Sequence, residues 1–151
     1  MHGRGERVYA RVMADPIAEL RDLDDPRLQA VLEVMCLAAL ADGELADEEL
    51  HELAATIVGA TAGRASNPDV EALLGAVQGE LERSGQEAYL AQIAAKLGSP
   101  EACAAAVAAA VRVVAIDGVV RTSERELLFE LAEGLGVDRD SVADLVRDLA
   151  R

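Results

Sequence analysis

The stretch "ALADGELADEEL", residues 39–50, ends a long apolar run with an Asp-Gly pair and then a cluster of acidic residues. The same outline returns as "AIDGVVRTSERE" at 115–126. Aligned without gaps, both copies follow the pattern D-G-x-φ-x3-E-x3-L, where φ is aliphatic. Glycine suits the turn that takes the chain out of an apolar helix, and the aliphatic residue would anchor the turn to the core. The repeat predicts a helix, Asp-Gly turn, helix unit that is used twice.

The composition predicts one compact domain without a membrane span. The chain has 151 residues, of which 52% are hydrophobic and 28% charged, enough for a real core and too apolar for disorder. The most apolar run, Ala102 to Ile116, is interrupted by Arg112 and is shorter than the roughly 20 residues that cross a bilayer. The first residues carry charge and lack the apolar stretch of a secretory signal. We therefore expect a cytoplasmic protein.

The charge balance narrows the kinds of partner. A formal net charge of −14 repels nucleic-acid phosphates and anionic membranes, so we expect no nucleic-acid binding. Cations and basic protein surfaces are what such a field attracts, although acidic composition also serves solubility alone. Cys36 and Cys103 lie inside apolar runs, which indicates small core residues.

Periodicity and capping signals predict helices throughout and no strands. Each of the four prolines follows Asp, Asn or Ser, which indicates an N-cap followed by the first helical residue, and Ser123 with Glu126 has the spacing of a capping box. Leu97-Gly98 and Leu135-Gly136 indicate helix ends. The expected helices lie at about 4–14, 16–23, 26–41, 47–60, 68–83, 85–97, 100–116, 122–135 and 139–150. The fold class is all-α, a single-domain helical bundle, with the two most apolar helices, 26–41 and 100–116, at its centre.

The repeat divides the chain into halves. A small, polar, Gly-containing stretch at 58–69 is the expected connection between them. We assign 1–25 to an N-terminal helical extension and 26–151 to the duplicated domain, with repeat halves of about 26–62 and 100–136.

The two motif glutamates are the candidate functional residues. Glu49 precedes Leu53 and Ile57 at helical spacing, and Glu124 precedes Leu128 in the same way, so both are expected to point inward. A partly buried carboxylate must be neutralised by a proton, by backbone N–H donors or by a cation. Three interpretations stay open: a structural staple on loop amides, a divalent-ion ligand acting with the aspartate of the same motif, or neither.

Two familiar metal sites can be compared with the motif. The D-G-x5-E spacing matches loop positions 5, 6 and 12 of an EF-hand, but positions 1 and 3 would fall on apolar residues in both copies, which excludes a standard calcium loop. Glu48 and His51 form a single E-x-x-H, whereas di-iron bundles use this motif in pairs. Since no nucleophile triad or phosphate loop is visible either, we expect a protein that is not an enzyme.

The segments "LAALADGELADEELHELAATIVG" and "VVAIDGVVRTSERELLFELAEGLGV" resemble the TerB-like family, the helical domain of tellurite-resistance proteins, which is also similar to the N-terminal region of DjlA-type co-chaperones. The resemblance covers roughly Pro26 to the C-terminus. It implies a non-enzymatic, cytoplasmic or membrane-associated module in stress responses to metal oxyanions, with metal binding through its acidic motif. Carried over to this sequence, that role falls on Asp42, Glu49, Asp117 and Glu124.

The leading hypothesis is a TerB-like module whose duplicated acidic corners bind a divalent metal ion, a basic protein partner, or both. The alternative is a pure interaction scaffold, in which the acids are helix caps and solubilising charge.

Overall fold

The computed structural model describes residues 23–40, 47–61, 63–64, 66–115 and 120–149. Within this part of the chain every regular element is a helix, so the all-α prediction is confirmed. The helices are α1 (Asp25–Ala39), α2 (Asp47–Ala60), α3 (Asn67–Ser84), α4 (Gln86–Leu97), α5 (Pro100–Val114), α6 (Thr122–Leu135) and α7 (Arg139–Leu149). The helices predicted at about 4–14 and 16–23 fall outside these ranges, except for Leu23.

The helix starts use the predicted chemistry, but at α1 and α3 the cap lies one residue before the predicted one. Ser99 caps α5 by accepting from the Ala102 N–H at 3.1 Å, and Pro100 is the first helical residue, as expected. At α1, however, the cap is Asp24, which accepts from the Arg27 N–H at 3.1 Å.

At α3 the cap is Ser66, which accepts from the Asp69 N–H at 3.3 Å, and Asn67 is the first helical residue. The prediction that the residue before each proline is the cap was therefore wrong at both helices. In each case two neighbouring residue types can cap a helix, and the first one takes the position.

Helices α1 and α5 form the centre of the bundle, as the apolar pattern predicted. Their packing against each other is the most extensive helix pair among the described elements. Apart from Gln29, α1 is buried continuously from Leu28 to Ala38, and α5 from Ala102 to Val111. Since α5 is built largely from alanine, the two helix backbones can approach closely and still fill the interior. Both cysteines are buried in this core, which confirms the core interpretation.

The outer helices surround this pair. Helices α3, α4 and α6 pack on α1, while α6 and α7 pack on α5 and on each other. Helix α6 also packs so tightly on α4 that a methyl group added at Gly134 would lie 2.8 Å from Leu90 Cδ1. Helices α4 and α6 end at Gly98 and Gly136, whose φ values of +72° and +70° are the left-handed conformation predicted from sequence.

The proposed division into an N-terminal extension and two repeat halves stays a prediction. The expected connection at 58–69 does separate two helices, because α2 ends at Ala60 and α3 begins at Asn67. In the described part of the chain, no helix is both long and apolar enough to cross a membrane.

Candidate functional site: two acidic corners and a buried carboxyl

The two motif aspartates, Asp42 and Asp117, lie outside the described residues. The structure therefore places only the glutamate of each corner. Glu124 lies in the first turn of α6 and Glu49 in the first turn of α2.

Glu124 is a buried helix cap. Its residue exposure is 8%, and its Oε1 accepts from the Arg121 backbone N–H at 2.9 Å. The guanidinium Nη1 of Arg121 lies 3.4 Å from the same oxygen. This carboxylate therefore already receives a backbone donor and a cation, which is the staple arrangement among the alternatives left open by the sequence.

The position of this cap differs from the sequence prediction. The capping box was expected from Ser123 to Glu126, but α6 begins at Thr122 and its N-cap is Arg121. Glu124 is thus the third residue of the helix, where a glutamate reaches back to the N-cap amide. Negative charge in this first turn also interacts favourably with the helix dipole.

Glu49 does not share the environment of Glu124. Its side chain is exposed, so the expectation that it points inward was wrong, although Leu53 and Ile57 on the same helix are buried as predicted. The reason lies in the packing: α6 lies against α1, α4, α5 and α7, whereas the main neighbour of α2 among the described helices is α3. Fewer neighbours leave the first turn of α2 in solvent. His51 is exposed as well.

The structure brings together a second acidic feature that the sequence analysis missed. Glu33 lies in the middle of α1 with a residue exposure of 6%, and Lys96 Nζ of α4 lies 3.5 Å from its Oε1. Its other oxygen, Oε2, is buried without a hydrogen-bond partner. Tyr89 of α4 and Gln29, one turn earlier on α1, also interact with this carboxyl and lower its pKa.

Burial dominates the electrostatics around Glu33. It raises the pKa of the Glu33 carboxyl above 4.5, while Lys96, Gln29 and Tyr89 oppose the increase. Burial, followed by the charge of Glu33, raises the pKa of Cys36 to about 12, so this thiol stays protonated and unreactive. The same two causes raise the pKa of the Tyr89 hydroxyl. Glu33 is therefore a buried acid in the α1–α4 contact.

Within the described ranges, the carboxylates other than these two face the solvent or are only partly covered. Glu33 and Glu124 are the buried acidic residues of the described chain, and each has a cation beside it. No group of three or more His, Cys, Asp or Glu side chains in the described ranges is arranged to hold a metal ion. Asp42 and Asp117, the aspartates of the two acidic corners, lie outside those ranges.

No model of a known protein family, no curated protein and no solved structure matches this chain.

Proposed function

We propose that the chain is a non-enzymatic, TerB-like helical module that binds a basic protein partner on its acidic surface. The supporting observation is where the described carboxylates lie: two are buried beside cations, and most of the others in the described ranges are exposed to solvent. With a net charge of −14, this surface attracts positively charged proteins over long range and orients them on approach. A cytoplasmic stress-response role of the tellurite-resistance type follows from the family resemblance and is part of the same proposal.

A calorimetric titration with two synthetic helical peptides tests the proposal. Both peptides have about four turns and a leucine face; one carries lysines on the polar face and the other glutamates. We expect saturable heat from the lysine peptide, weaker binding as salt rises, and no heat from the glutamate peptide. Absence of binding by the lysine peptide at low salt would refute a basic partner. Equal binding of both peptides would support the pure scaffold, in which charge only keeps the protein soluble.

A divalent ion is the second candidate ligand, and the first acidic corner favours it. Asp47, Glu48 and Glu49 are all exposed in the first turn of α2 and follow the Asp42 segment directly in sequence. Exposed carboxylate oxygens suit calcium, magnesium or manganese. Titration with these ions and with zinc distinguishes the candidates, because a bound ion gives saturable heat and raises the unfolding midpoint. If neither occurs with any of the four ions, the ion is removed from the proposal.

A further inference from the structure

A groove of about 380 Å³ lies where the ends of four helices meet. Its floor consists of leucines from three of them: Leu37 and Leu40 at the end of α1, Leu81 near the end of α3, and Leu127 on α6. Leu37 is buried, whereas Leu40, Leu81 and Leu127 pack against the core and remain partly exposed. Partly exposed leucines gathered in one concave surface gain free energy when another apolar surface covers them.

The rim of this groove is acidic. Glu126 and Glu130 line it from α6, four residues apart and therefore on the same side of the helix. Gln86, at the start of α4, donates from Nε2 to Glu130 Oε2 at 2.8 Å and so holds that carboxylate at the edge. A carboxylate accepts several hydrogen bonds, so Glu130 can still receive a cation. The residues that line the groove, as far as the structure describes it, include no Lys or Arg.

We propose that this groove is the docking site for one amphipathic basic helix of a partner protein. Leucine or another apolar side chain of that helix would cover Leu81 and Leu127, and Lys or Arg at the next turn would reach Glu126 and Glu130. The long stems of Lys and Arg lie well on apolar surface while their charged ends stay at the rim. An acidic helix would meet repulsion from both glutamates, so charge selects the partner and the leucines supply contact area. This inference rests on the proposed function and locates the binding of the basic partner at the groove.

Charge reversal at the rim tests the site. The variant carries Glu126→Lys and Glu130→Lys, and its control carries Glu71→Lys and Glu101→Lys, two exposed glutamates that do not line the groove. Both variants change the net charge equally, so non-specific attraction falls equally in both. Fluorescence anisotropy with the labelled leucine–lysine peptide should show at least about tenfold weaker binding for the rim variant and only a small change for the control. Circular dichroism must first show that both variants are folded.

The apolar part of the site has its own test. Leu127→Ala removes part of the floor at a partly exposed position and should weaken the wild-type interaction, as should a scrambled peptide whose leucines no longer share one face. If the rim variant and the wild type bind the leucine–lysine peptide with equal affinity, the groove is not the docking site, and a basic partner would bind elsewhere on the surface. Equal weakening of the rim variant and its control would also overturn it, because net charge alone would then explain binding. If the wild type binds no basic peptide, the proposed function itself fails.

Discussion

Replacing Glu124 distinguishes a structural cap from a metal ligand at the second acidic corner. Its Oε1 accepts from the Arg121 N–H at 2.9 Å, and the side chain is about one-tenth exposed. Glu124→Ala removes the acceptor, whereas Glu124→Gln keeps an amide oxygen in its place and removes the charge. We expect both variants to be less stable than the wild type, and Glu124→Ala to lose more stability than Glu124→Gln.

The magnitude follows from the contacts. Loss of a helix N-terminal cap costs about 0.5–2 kcal/mol. Because the Arg121 side chain is more than half exposed, water can replace the contact that its guanidinium loses, and the ion pair adds little to this cost. We expect about 1 kcal/mol for Glu124→Ala. For Glu124→Gln we expect about 0.3–1 kcal/mol, the usual contribution of one negative charge near the start of a helix. In a domain of this size, 1 kcal/mol lowers the melting temperature by roughly 2–4 °C.

The assay is urea unfolding followed by circular dichroism, with chelator and again with calcium, magnesium, manganese or zinc. A cap predicts the same loss under all conditions. The matched control is Glu133→Ala on the same helix, an exposed residue whose replacement should change the unfolding free energy by less than about 0.5 kcal/mol. If Glu124→Gln matches the wild type in chelator and lacks only a metal-dependent gain in stability, the cap assignment is wrong and Glu124 is a ligand.

Three further substitutions test the buried carboxyl and the helix packing. Burial raises the pKa of the Glu33 carboxyl in the folded state, so the folded chain binds the carboxyl proton more tightly than the unfolded chain does. The protonated carboxyl therefore contributes stability that is fully present below about pH 4.5. This contribution is lost as the pH rises through the higher pKa of the folded state. Glu33→Gln should therefore be more stable than wild type in urea unfolding near pH 7 and similar near pH 4; a loss near pH 7 would mean that the pair with Lys96 outweighs burial. Gly75→Ala, with nothing within 4 Å of the added carbon, should stabilise α3 by about 0.5–1 kcal/mol. At Gly134 the added carbon would lie 2.8 Å from Leu90 Cδ1, and such overpacking costs about 1–3 kcal/mol. Gly134→Ala should therefore lose the helix-propensity gain and destabilise the chain by about 1 kcal/mol. Equal effects of the two alanine variants in thermal unfolding would contradict the tight α4–α6 contact.

The helices could be read from sequence because local chemistry specifies their ends. Proline and serine at the start of α5, and glycine after α4 and α6, act within a few residues of the positions that they define. The central placement of α1 and α5 also follows from sequence, since a helix that is apolar on nearly every side has to be covered by others.

The candidate site could not be predicted to the same extent, because it depends on contacts between distant residues. Glu49 and Glu124 occupy the same place in a repeated motif, yet one is exposed and the other buried, and the difference comes from the helices packed around α2 and α6. Glu33 was visible as one acid in an apolar run, but its partner Lys96 lies on another helix, and no local pattern connects them.

The groove was invisible for the same reason. Leu40, Leu81 and Leu127 belong to three segments that lie far apart in sequence. Only their packing shows that each is left partly uncovered beside Glu126 and Glu130.

The most direct test of partner binding is to locate the leucine–lysine peptide on the protein by NMR. Amide chemical shifts of the isotope-labelled chain are followed as the peptide is added. The groove proposal predicts the largest chemical-shift changes at Leu81, Leu127 and Glu130, around the groove, with little change at Asp47 to Glu49. Changes concentrated in the first turn of α2, with the groove amides unmoved, would contradict it.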